Sequence, residues 1–320
     1  MVRFPQILLL LFLWLFYSVL RVTERTSPRY FHRAPRYSAD SNRSLTSATR
    51  YRDGSRKGLD LTIGGPVTST NIALSSAADQ SSLQRGGILL RTLRRISDSK
   101  VISGPSLLVD EILRLSGAAN IPALVDHLWA GDISAFPPAS SESKLPSVSL
   151  YLRPTTASAL AKPSSVSSYF TPNTAPMSAK PPVYRSPRIG LELSHPGTTN
   201  SPAHPRVVFI SKPYRYFVHP ELLIANGRSQ TFLGVYRACL TSGLAGVQLT
   251  SKLARLTGMK EKTIIKYLAD YNSGVDKGDL QSFIGASGKG ASASPATYLK
   301  MMGTLEQVQA TLRDINPVAP

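Results

Sequence analysis

Residues 249–274 read LTSKLARLTGMKEKTIIKYLADYNSG, and the reading of this stretch decides the fold of the C-terminal part. Thr250 is placed to cap a helix that carries Leu253, Ala254 and Leu256. Thr257-Gly258-Met259 forms a turn, in which Gly258 accepts a positive φ. Lys260 to Tyr271 follows as the next helix, with Ile264, Tyr267, Leu268 and Tyr271 at i, i+3, i+4 and i+7, and Asn272-Ser273-Gly274 stops it. Two helices that cross steeply need a small residue where they come closest, and Ala254 supplies it. Ile264 locks the second helix onto the first, and Met259 fills the pocket beyond the turn. Upstream, Phe232 to Leu240 gives a preceding helix that ends near Gly243.

The pattern resembles the helix-turn-helix of bacterial repressors. The alanine (Ala254), the glycine four later (Gly258), the apolar residue next (Met259) and Thr263-Ile264 at the Thr-Val position carry the likeness. It is also similar to the small helix-turn-helix modules appended to intron-encoded homing endonucleases, through Tyr267-Leu268 followed by Gly274. The resemblance covers about 25 of the 320 residues, and Thr257 departs from it where an apolar residue is common. It implies a DNA partner, with RNA as the other nucleic acid the charge allows. Lys260, Lys262, Thr263 and Lys266 would lie on the recognition helix with its N-terminal residues facing base edges, and Lys252 and Arg255 on the helix before it would contact the backbone. Lysines at a helix N-terminus oppose its dipole at a small cost, which phosphates would remove.

Composition supports a polyanionic partner. The formal net charge is +18, which suits DNA, RNA or an anionic membrane surface. A single cysteine, Cys239, excludes a disulfide within one chain, and with five scattered histidines it cannot build a zinc knuckle. No Gly-x-Ser-x-Gly, His-Glu-x-x-His or paired metal-binding acids occur, so a non-enzymatic protein without cofactor or metal is expected. Ser242-Gly243-Leu244-Ala245-Gly246 resembles the start of the homing-endonuclease dodecapeptide but lacks its metal-binding acid, so nuclease activity does not carry over.

The N-terminus has a different character. Residues 7–20 read ILLLLFLWLFYSVL. A signal peptide, a buried helix and a membrane anchor compete here; a poor cleavage site and the absence of a polar face favour a hydrophobic anchor over residues 1–20, meeting the membrane through residues 4–20. Arg21, Arg25, Arg29, Arg33 and Arg36 then place the C-terminal side in the cytoplasm or an organelle matrix such as that of the mitochondrion, in a single-pass membrane protein. Residues 21–87 read as a basic disordered arm, with ten Lys or Arg against three acids between residues 21 and 57, and a short strand at Leu59–Ile63.

Residues 88–136 carry three short helical patterns. The first places Leu89, Leu90, Leu93 and Ile96 on one face, the second starts at Pro105, and the third is capped by Asn120 and ends at Gly131. Residues 137–205 hold thirteen prolines among Ser, Thr and Ala and read as an extended linker. Residues 206–274 then form the helix-turn-helix domain, introduced by two short strands, Val207–Ile210 and Tyr214–Val218, with Arg215 a candidate nucleic-acid contact. In residues 275–320, Gly285 to Gly290 lacks phosphate-loop spacing and reads as a linker. Ser294-Pro295 starts a last amphipathic helix, with Leu305, Val308, Leu312 and Ile315 on a stripe that packs on the helix-turn-helix or forms a homodimer.

The expected fold class is thus mainly α: small helical segments joined by long disordered linkers, an N-terminal hydrophobic helix and a C-terminal helix-turn-helix. The leading expectation is a membrane-tethered DNA-binding protein. The alternatives are a structural membrane or ribosome-associated organellar protein, and a degenerate mobile-element reading frame.

Overall fold

The computed structural model describes residues 29–32, 51–63, 86–131, 150, 181–223, 225–290 and 294–315. The described residues are mostly helical, and the chain divides into two compact units, Met1–Ser178 and Ala179–Pro320, each with its own apolar core. Among the described residues no helix is long and apolar enough to cross a membrane. The single-pass placement is corrected accordingly; residues 4–20, on which it rested, lie outside the described residues.

In the first unit, β1 (Arg29–Phe31), β2 (Leu59–Ile63) and β3 (Gly86–Leu90) form an antiparallel sheet in that order. Phe31 faces Leu59, and Leu59 faces Leu90, so one buried apolar row crosses all three strands. The hairpin of β4 (Thr92–Arg94) and β5 (Val101–Ser103) pairs Leu93 with Ile102, both buried. Helix α1 (Pro105–Ser116) begins on proline and ends at Gly117, and it buries Leu108, Val109, Ile112 and Leu113. The Asn120 side chain accepts the Ala123 N–H at 2.8 Å and starts the next helical turns, which widen to π spacing over Ala123–Leu128. Trp129, almost fully buried, stacks on Phe31 with centroids 5.8 Å apart.

The helix expected over residues 88–96 is two strands instead. A three-residue spacing between Leu90 and Leu93 fits a helix, but the Arg91 carbonyl accepts the Gly104 N–H at 2.8 Å and the chain changes sheets there. Each leucine is then buried by a different strand partner. Long-range pairing overrides the local period. Ile96, assigned to the apolar face, is 45% exposed in the turn that follows.

The second unit is built around α3 (Arg228–Thr241), whose first turns are buried on every side from Ser229 to Tyr236. A two-stranded ribbon, β6 (Tyr184–Ser186) with β7 (Arg215–Phe217), crosses it at Gly234, where a Cβ would lie 2.7 Å from the Arg185 carbonyl oxygen. The long proline-rich linker therefore ends earlier than expected. Residues 181–205 are part of this unit, and Leu193 is wholly buried in its core. Residues 207–210 belong to α2 (Pro205–Ile210), not to a strand: Pro205 starts it and Val207 and Ile210 turn inward three apart.

Helices α4 (Gly246–Thr257) and α5 (Glu261–Lys277) follow, and α6 (Pro295–Ile315) lies along α5. The last two approach so closely that a Cβ on Gly274 would meet the Lys300 carbonyl oxygen at 2.1 Å, and one on Gly303 the Tyr271 carbonyl oxygen at 2.1 Å. Gly274 is therefore a crossing point, and α5 runs on past it to Lys277 instead of stopping there. Tyr298, Leu299, Met301, Met302 and Leu305 bury the inner face of α6, and Val308 packs against the same core. The apolar stripe, expected either to pack on the helix-turn-helix or to form a homodimer, packs within the chain at Leu305 and Val308. Between α5 and α6, the segment read as a flexible linker forms short turns at Leu280–Phe283 and Gly285–Gly288, which bury Leu280, Phe283 and Gly288.

Candidate nucleic-acid interface

The connection between α4 and α5 is tight. Helix α4 starts four residues before Thr250, whose hydroxyl donates back to the Gly246 carbonyl at 3.3 Å, so Thr250 lies inside the helix and is not its cap. Gly258 ends α4 at φ +67°, a left-handed conformation that costs a side chain-bearing residue about 1–2 kcal/mol. Thr257, the departure from the repressor-like pattern, is 1% exposed, and its hydroxyl donates to the Leu253 carbonyl at 2.7 Å. The same oxygen accepts the Met259 N–H at 3.4 Å. A buried hydroxyl here bridges helix end and turn, which explains why threonine replaces an apolar residue.

Lys260 precedes α5 in an extended conformation, and its carbonyl accepts the N–H groups of Thr263 and Ile264. Glu261 occupies the first turn, where its charge suits the helix dipole and offsets the neighbouring lysines. Its carboxylate accepts the Ser251 hydroxyl at 3.0 Å, a polar tie across the turn from α4 to α5. Inside, Ile264 is fully buried and Met259 nearly so, with Leu249 and Leu253 in the same core, and Ala254 packs against it half-buried. Tyr267 meets Phe232 edge-on at 5.2 Å, and Tyr271 meets Tyr236 at 5.6 Å, so two aromatic pairs four residues apart clamp α5 to α3. The Tyr271 hydroxyl donates to Glu306, which also pairs with Arg237 at 2.9 Å and so ties α6 to both helices.

The outer surface is cationic. Arg255, Lys260, Lys262 and Lys266 are exposed, while Lys252 and Thr263 are half-buried. Lys252 lies near the buried Cys239, whose thiol burial pushes up and Lys252 draws partly back. Among the described residues, none of these five cations forms an ion pair with a carboxylate. Lys262, Ile265, Lys266 and Ala269 follow at i, i+3, i+4 and i+7, which puts them on one exposed side of α5. Ile265, 58% exposed, was absent from the sequence reading. Its signal was present in the adjacent Ile264: of two consecutive apolar residues on a helix, one is turned from the core.

Arg215, a candidate nucleic-acid contact for which a strand-face role was the simpler reading, is half-buried with its guanidinium engaged inside the fold. Its guanidinium donates to the Ser186 and Thr231 hydroxyls, each at 3.1 Å, and lies 4.4 Å from the Phe217 ring centroid. No group of three His, Cys, Asp or Glu is placed to hold a metal ion among the described residues. Compared with known proteins, the chain matches no family model, no curated protein and no solved structure.

Proposed function

We propose that the second unit binds duplex DNA, with α4 and α5 acting as a helix-turn-helix and α5 as the helix that enters the major groove. The observation that carries this reading is the set of exposed cations, Arg255, Lys260, Lys262 and Lys266, held without carboxylate partners around a fully buried Ile264. Among the described residues these cations have no carboxylate in ion-pair contact, and Glu261 beside them offsets only part of their charge, so a regular array of phosphates suits the face. The unit as a whole carries 17 Lys and Arg against 8 Asp and Glu. In this reading Lys252 and Arg255 contact the backbone beside the groove. Lys260, Lys262 and Thr263 stand at the N-terminal end of the reading helix, and Lys266 lies one turn on. Ile265 supplies an apolar contact of the kind a thymine methyl accepts.

The test is a gel-shift titration of residues 179–320 with duplex DNA at low salt. A fragment starting at residue 207 would lack β6 and Leu193 and so would lose part of the core. Binding that weakens in Lys262→Ala and Lys266→Ala supports the proposal; absence of binding by the folded fragment refutes it.

A further inference from the structure

The β6–β7 ribbon carries side chains that the core does not use. Strand alternation turns Tyr184, Ser186 and Phe217 inward, where all three are buried. The register pairs Arg185 with Tyr216 on the opposite, outer face. Tyr216 is 41% exposed, and Tyr214, just before β7, is 52% exposed. The Arg185 guanidinium lies 5.0 Å from the Tyr216 ring centroid and donates to its hydroxyl at 3.0 Å, so the two are paired across the ribbon. Lys212 and Arg188, both exposed, flank these residues in sequence. The described carboxylate nearest in sequence to β7 is Glu221, which is engaged with His219 at 3.2 Å.

We propose that this outer face, Arg185, Tyr214 and Tyr216, is a stacking platform for the unpaired bases of a single-stranded nucleic acid. Its residues are other than those of the α4–α5 face. Tyr216 is held by Arg185 yet stays 41% exposed, and with Tyr214 it offers ring surface that suits a partner presenting flat π-faces together with negative charge. A duplex hides its base faces inside the stack; a single strand offers bases to the rings and phosphates to Arg188 and Lys212. The support beneath is stiff. Arg215 is bonded to Ser186 on the partner strand and to Thr231 on α3, and Gly234 lets the ribbon sit directly on that helix. Rings presented on such a base lose little freedom on binding.

The experiment uses the full chain and single-stranded oligonucleotides of about 15 residues carrying 5-iodouracil, in DNA and RNA form. After irradiation, adducts are mapped by peptide mass spectrometry. The expected result is adducts on Tyr214 or Tyr216, with a yield that falls about tenfold or more in Tyr214→Ala/Tyr216→Ala. The yield is retained in Tyr214→Phe/Tyr216→Phe, which keeps the rings, and in Lys262→Ala/Lys266→Ala, which leaves this face intact. Adducts on either strand type support the platform, and their ratio assigns the sugar. Adducts confined to other segments, or an equal loss in the Ala and Phe double variants, overturn it.

Discussion

Gly303→Ala gives the sharpest test of how the second unit is held together. In an ordinary helix interior, exchanging glycine for alanine stabilises by about 1 kcal/mol. Here the added Cβ would lie 2.1 Å from the Tyr271 carbonyl oxygen and 2.8 Å from the Val275 nitrogen. Comfortable contact needs about 3.5 Å, so α5 and α6 must separate by roughly 1–1.5 Å. A gap of that size forfeits about half or more of each dispersion contact along the interface. The obstacle is backbone, which cannot rotate aside, so the overpacking cost belongs at the upper end of about 1–3 kcal/mol. Set against the propensity gain, the net effect is a destabilisation of about 2 kcal/mol. For a denaturant slope of about 2 kcal/mol per molar, the urea midpoint falls by roughly 1 M. Far-ultraviolet circular dichroism is dominated by helices α3 to α6 of the second unit. Tryptophan emission is an internal control, because Trp14 and Trp129 both precede residue 179. An unchanged or raised midpoint for Gly303→Ala refutes the close crossing.

The other predictions follow from the turn and from the buried ionisable groups. Gly258→Val destabilises the second unit by about 1–2 kcal/mol and Gly258→Asn by less, because asparagine tolerates the left-handed region better, and urea titration of both variants distinguishes them. Tyr236, Tyr267, Tyr271 and Tyr298 have hydroxyls raised above the usual tyrosine range, by burial first and for Tyr271 also by its bond to Glu306. A raised folded value means that this stability is fully present below about pH 10 and is lost as pH rises further, so alkaline titration unfolds the second unit as these phenols ionise, read by circular dichroism and phenolate absorbance together. In the first unit, the Arg95 guanidinium holds Asp98 well below the usual carboxylate range, and Arg114 and then Arg95 lower Glu111. A lowered folded value contributes stability above about pH 4 and loses it as pH falls below, so tryptophan emission reports acid loss of the first unit, and Asp98→Asn removes part of that acid dependence.

What the sequence disclosed depended on how local each feature is. The turn at Gly258, the burial of Ile264 and the exposure of Lys260, Lys262 and Lys266 depend on residues within about ten positions of one another, and spacing alone carried them. Strand β2 was legible at Leu59–Ile63, and α1 from Pro105 and Gly117, for the same reason. Helix ends were less so. Thr250 and Gly274 resemble a cap and a stop, but the first lies inside α4 and the second is a crossing point for α6. The strands at residues 86–94 and the folded part of the proline-rich segment depend on partners far along the chain, such as Leu59 for Leu90 and Phe217 for Tyr184. No local pattern encodes those pairings. The inward turn of Arg215 likewise follows from Thr231, sixteen residues on, reaching it from α3.

The most direct test of DNA binding by α5 is the salt dependence of affinity for duplex DNA, measured on residues 179–320 and on the Lys262→Ala/Lys266→Ala variant. Each phosphate contact contributes a slope of about −0.9 in log affinity against log salt. Binding by the native unit with a steep negative slope, made shallower by up to about 1.8 in the variant, is the predicted result. A native unit that does not bind duplex DNA at low salt, or a variant whose affinity and slope match the native unit, contradicts it.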